Sequence, residues 1–133
     1  MALSSKERAF AAIFAGLLAG FVVILLLEMV SPFQAPADIN PEDPAQMGAW
    51  IQSLPATAFL FLLMVYALGA IAAGFVANKV AKPTPYRPAL LAGTGLLVAG
   101  LLNLLTFPHP MWFMVLSSLV YLAGAWLGGR LAR

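Results

Sequence analysis

Three polar side chains in a predominantly apolar chain could do chemistry together: the carboxylate of Glu28, the amide of Asn103 and the imidazole of His109. Glu28 lies one helical turn before Ser31-Pro32, so about 6 Å from the end of a helix that those residues would terminate. Asn103 stands at the same remove from Phe107, and His109 follows in the turn Phe107-Pro108-His109-Pro110. A carboxylate, an amide and an imidazole in one layer could bind a proton, a cation or a polar head group. Ionisable residues inside membrane spans are rare and are functional candidates by default. Each residue also has a plainer use. Glu28 could reach interfacial water or cap a turn, Asn103 could make an interhelical hydrogen bond, and His109 could be a solvated turn residue.

Other chemistry is poorly supported. Cysteine is absent and His109 is the sole histidine, which excludes thiol chemistry, thiolate zinc, iron–sulfur clusters and a bis-histidine haem within one chain. Asp38, Glu42 and Asp43 could hold a divalent cation, but a helix start accounts for at least two of them. Ser117 and Ser118 have no base near them in the sequence, so no catalytic set is complete. The expectation is a non-enzymatic protein with no cofactor, no metal site and no nucleic-acid patch.

The elements that must position these residues follow from composition. The 133-residue chain is 62% hydrophobic and 9% charged, against roughly a quarter charged in soluble domains. Apolar stretches at 9–30, 56–77, 88–107 and 111–129 each reach the length of about 18 residues or more that crosses a ~30 Å hydrocarbon core. Backbone groups in lipid must bond internally, so the stretches are read as helices. The fold class is therefore an all-α membrane protein, a four-helix transmembrane bundle forming one domain. The first stretch is too long for the core of a cleavable signal peptide.

All seven Lys and Arg residues flank one side: Lys6 and Arg8, then Lys79, Lys82 and Arg87, then Arg130 and Arg133. Glu28, Asp38, Glu42 and Asp43 fall at the other side. Positive residues stay in the cytoplasm, so both termini and the loop 78–87 are expected inside, and the loop 31–55 outside. The basic face could also attract anionic lipid head groups. Ser4 or Ser5 with Glu7 offers a start for the first helix. Within the outer loop, Asn40-Pro41-Glu42-Asp43 and then Asp43-Pro44 read as starts of a short helix running to about Ser53. Its apolar side, Met47, Trp50, Ile51 and Leu54, predicts an interfacial helix lying on the outer surface, with Trp50 and Trp112 as interfacial anchors.

Small residues recur where helices must approach closely: Gly16 and Gly20, Gly69 and Gly74, Gly93, Gly124 and Gly128. They cluster towards the basic side, whereas the outer half is bulky. A bundle tight inside and wider outside is predicted, without an open pore. Val65-Tyr66-Ala67-Leu68-Gly69-Ala70 resembles Val120-Tyr121-Leu122-Ala123-Gly124-Ala125, and Ala9, Ala12, Leu17 and Gly20 match Ala89, Ala92, Leu97 and Gly100. The pattern fits two tandem parallel hairpins about an axis along the membrane normal. Tyr66 and Tyr121 would be equivalent, each paired with a backbone carbonyl.

Leu27-Glu28-Met29, the proline-rich acidic outer loop, Leu54-Pro55 and Pro108-His109-Pro110-Met111-Trp112 together resemble a family of small four-helix bacterial integral membrane proteins of uncharacterised role. The resemblance covers most of the chain and implies a multi-pass protein of the bacterial inner membrane, but no activity. Small multidrug transporters also carry a glutamate in their first helix. Theirs is near mid-span, and the aromatic pattern of their third helix is missing here, which argues against drug–proton antiport. Two roles are expected to compete. One is binding or transport of a small hydrophobic or cationic molecule, ion or lipid at an outward-facing site near Glu28, Asn103 and His109. The other is an accessory subunit whose small-residue faces pack on a second copy or a membrane protein partner.

Overall fold

The computed structural model describes residues 2–82 and 87–133. It contains five helices: α1 (Ser5–Met29), α2 (Pro44–Ser53), α3 (Ala56–Ala81), α4 (Arg87–Thr106) and α5 (Met111–Leu131). All but α2 are long and apolar enough to cross a membrane.

Local chemistry sets the helix ends. Ser4 caps α1 through a reciprocal box: the Glu7 N–H donates to Ser4 Oγ at 3.2 Å, and the Ser4 N–H donates to Glu7 Oε2 at 2.8 Å. At the other end of α1, the Gln34 side chain folds back and donates to the carbonyls of Glu28 at 2.7 Å and Ser31 at 3.2 Å. Those carbonyls lie at or just past a helix terminus, where no further turn supplies donors. Of the two predicted starts for α2, the second operates. Asp43 Oδ1 accepts the Ala45 N–H at 2.9 Å and Pro44 opens the helix, while Asn40 shapes the preceding turn by accepting the Glu42 N–H at 3.0 Å. Two spans outrun their apolar cores: α1 begins at Ser5 rather than near residue 9, and α3 runs past Asn78-Lys79 to Ala81. Helical hydrogen bonding does not stop where hydrocarbon does, so hydropathy locates the membrane and capping locates the ends.

The four long helices pack as a bundle with α3 against α1, α4 and α5; α4 also touches α1 and α5. All seven glycines expected at interfaces are used inside this one chain. A Cβ on Gly16 would stand 2.6 Å from the Ala73 carbonyl oxygen, and one on Gly124 would stand 2.8 Å from Ala70 Cβ. A Cβ on Gly20 would meet Ala73 and Leu96, one on Gly69 would meet Ile24, and one on Gly93 would meet Ala125. At Gly74 and Gly128 the obstruction is backbone, the carbonyls of Ala125 and Ile71 respectively. These approaches close the basic half of the bundle. The faces turned outward are apolar, as along α1 at Phe10, Phe14, Leu18, Phe21 and Leu25, which lipid would cover.

The two hairpins, α1–α3 and α4–α5, run in the predicted order. Among the described residues the twofold relation is incomplete: α3 touches α4, whereas its counterpart pair α1 and α5 makes no contact. The equivalent tyrosines do meet. Tyr66 and Tyr121 stack with ring centroids 5.1 Å apart and planes at 21°. No hydrogen bond from either hydroxyl to a backbone carbonyl occurs among the described residues, so stacking replaces the expected carbonyl pairing.

Asn78 is the polar staple of the basic end. Buried between helices, its Oδ1 accepts the Ala89 N–H at 3.2 Å and its Nδ2 donates to the Gly129 carbonyl at 3.2 Å. One side chain of α3 thus caps the first turn of α4 and the last turn of α5. Asn78→Leu would leave a buried donor and acceptor unpaired. A loss of about 1–3 kcal/mol is expected, read as a lowered thermal midpoint in detergent. An unchanged midpoint would show that these bonds contribute nothing net.

Candidate functional site

At the acidic end the bundle opens into a cavity of about 320 Å³. Glu28, Asn103 and His109 all line it, from α1, α4 and the α4–α5 turn. The short helix α2 forms one wall. Its apolar side (Met47, Trp50, Ile51 and Leu54) faces the cavity, with Ile51 buried. The short helix expected in the outer loop is thus present, and its apolar face covers a protein cavity. Trp50 lines the cavity, and Trp112, substantially exposed, sets its ring edge-on to Phe59 at 6.1 Å. Tyr66 also lines the cavity, with the Tyr66–Tyr121 stack continuing towards the closed half.

The three polar residues differ in how they are held. Glu28 is half-buried at the last turn of α1, where its own carbonyl is tied down by Gln34 and by the Ser31 N–H at 3.1 Å. Among the described residues no donor reaches its carboxylate, and it is the sole Asp, Glu, Lys or Arg lining the cavity. His109 is fixed on three sides. Its Nδ1 lies 2.9 Å from the Phe107 carbonyl, so in the neutral ring Nδ1 carries the proton and Nε2 is the free acceptor. Its ring stacks on Phe113 with centroids 5.7 Å apart and meets Phe59 at 6.2 Å nearly perpendicularly. Asn103 is exposed at the rim, and its amide makes no hydrogen bond among the described residues. The interhelical bond expected of it is absent; Asn78 plays that part at the other end.

A second cavity of about 310 Å³ adjoins the first. Ile51, Leu54, Phe59 and His109 line both and divide them. Ser31 and Gln34 complete the polar edge of the first cavity, with Ser31 Oγ accepting the Phe33 N–H at 3.0 Å. Neither was singled out in the sequence. The available signal was position alone, an amide and a hydroxyl just past a helix whose last turn carries no basic side chain.

Comparison with protein-family models, curated proteins and solved structures returns no match. The site is therefore read from its own chemistry. One carboxylate, with no counter-ion among the described residues, shares the cavity with the aromatic rings of Phe33, Trp50, Phe59 and Phe107 and with the polar side chains of Asn103 and His109. The helix start accounts for Asp43, and no group of three His, Asp or Glu suited to a metal gathers among the described residues. Ser117 is fully buried and its hydroxyl has no hydrogen-bond partner among the described residues, and Ser118 Oγ donates to the Met114 carbonyl at 3.0 Å. Neither lines the cavity.

Proposed function

We propose that this chain is a non-enzymatic membrane protein that binds or transports a small amphipathic cation at an outward-facing site formed by Glu28, Asn103 and His109. The observation that carries the proposal is the Glu28 carboxylate, without a partner among the described residues, at a largely apolar cavity of about 320 Å³. A buried or half-buried charge is costly to desolvate, and an incoming ammonium offsets that cost. Aromatic walls add attraction for the same cation, and Asn103 and His109 Nε2 supply orientation. The accessory-subunit reading loses its main support, because the small-residue faces it relied on are consumed within the chain.

The site is accessible to a direct test. Trp50 lines the cavity, and Trp112→Phe with Trp126→Phe leaves it as the sole tryptophan. Benzylammonium should change its fluorescence saturably, and the neutral isostere benzyl alcohol should not. Equal responses to both would remove the electrostatic basis of the proposal.

We place both termini in the cytoplasm of a bacterial inner membrane, on the strength of the basic residues gathered at one end. The native chain lacks cysteine, so single cysteines report topology cleanly. One at the exposed Ala45 should react with an impermeant reagent from outside, and one at Thr84, which lies outside the described residues, should not. The reverse pattern would invert the orientation and turn the cavity inward.

A further inference from the structure

The basic end carries a third recess, of about 660 Å³, larger than the cavity at Glu28. It lies where the start of α1, the end of α3 and the start of α4 converge. Lys6, Arg8, Lys82 and Arg87 line it, and Phe10, Ile13 and Leu91 are among its apolar lining residues. Four cationic side chains from three segments therefore share one crevice. No carboxylate lines it, and the nearby Glu7 is engaged with the Ser4 N–H outside it. Two helix N-termini, of α1 and α4, add their positive ends to the same place. Like charges gathered in this way give an anion several cationic partners at once.

We propose that this crevice binds the head group of an anionic phospholipid, with the phosphate among Lys6, Arg8, Lys82 and Arg87. The apolar lining commits the site to a lipid rather than a soluble anion. Phe10 and Leu91 are both exposed on lipid-facing helices, so acyl chains can descend along Phe10, Ile13 and Leu91 from a phosphate held by the bases. The proposal stands apart from the Glu28 site, which lies at the opposite end.

Native mass spectrometry of the delipidated full chain, titrated with phosphatidylglycerol or phosphatidylcholine, tests it. Wild type should retain phosphatidylglycerol preferentially, and Arg8→Gln with Arg87→Gln should weaken that binding roughly tenfold or more. If that pair fails to fold, Lys6→Gln with Lys82→Gln asks the same question with two exposed side chains. Lys79→Gln with Arg130→Gln removes equal charge at the same end but outside the crevice, where these residues lie over the Phe75 and Trp126 rings at 5.6 Å and 5.4 Å. That pair should bind like wild type. Equal loss in both pairs would reduce the effect to general charge and overturn the site. So would equal binding of phosphatidylcholine, or displacement of phosphatidylglycerol by excess inorganic phosphate.

Discussion

Gly128→Ala is expected to destabilise the bundle, although alanine is the better helix former by about 1 kcal/mol. The added Cβ would overlap the carbonyl of Ile71 and the amide nitrogen of Phe75, which are backbone atoms of α3 that cannot rotate away. α5 must then lift off α3 along the contact that holds the closed half together. Inserting one carbon into a packed interface costs roughly 1–3 kcal/mol, and here the obstacle does not yield, so the net loss should sit at the upper end. Gly74→Ala meets the backbone of Ala125 across the same interface and should behave alike. Gly95→Ala is the internal contrast, because its new Cβ would meet only the Leu17 side chain, at 2.6 Å, and Leu17 can change rotamer. Thermal unfolding in detergent should rank Gly95→Ala near wild type and the other two well below it. Gly124→Leu with Gly128→Leu should yield no folded protein. Equal midpoints for Gly95→Ala and Gly128→Ala would contradict the close approach of α3 and α5.

Glu28→Gln should leave the fold intact and abolish recognition of a cation. The carboxylate makes no hydrogen bond among the described residues, so its replacement by an isosteric amide breaks no structural contact. What disappears is the one formal charge lining the cavity. Removing one partner of a desolvated charge pair costs about 2 kcal/mol or more, so benzylammonium binding at Trp50 should weaken roughly thirtyfold. Asn103→Ala should have a smaller effect, since a rim amide contributes a neutral hydrogen bond. If Glu28→Gln binds benzylammonium like wild type, the cavity is an apolar recess and Glu28 an interfacial carboxylate.

Much of the architecture was legible because membranes impose simple rules. Apolar runs marked the four spans, small residues marked where helices touch, and Ser4-Glu7 and Asp43-Pro44 marked helix starts. Glu28, Asn103 and His109 could be placed in one layer because the first two each lie about a turn before a proline-marked helix end and His109 sits between the two prolines of the outer turn. Residues whose roles depend on tertiary proximity were not legible. Asn78 looks like a helix terminus in the sequence, and only the convergence of Ala89 and Gly129 upon it reveals a double cap. Conversely, Asn103 has the position for interhelical bonding but faces the rim. The α2 face is amphipathic whether it meets lipid or protein, so periodicity could not say that Trp50 and Ile51 cover a cavity. The basic crevice was hidden for a related reason. Lys6, Arg8, Lys82 and Arg87 read as orientation signals until α1, α3 and α4 bring them together around Phe10 and Leu91.

The most direct measurement of the central claim is native mass spectrometry of the gently solubilised chain beside its Glu28→Gln variant. A small cationic molecule carried by the wild type and lost from Glu28→Gln is the expected result, and its mass would give the ligand's class. A homo-oligomer or a complex with another protein, free of any small molecule and unchanged in Glu28→Gln, would contradict a binding site at Glu28 and make assembly the role of this bundle.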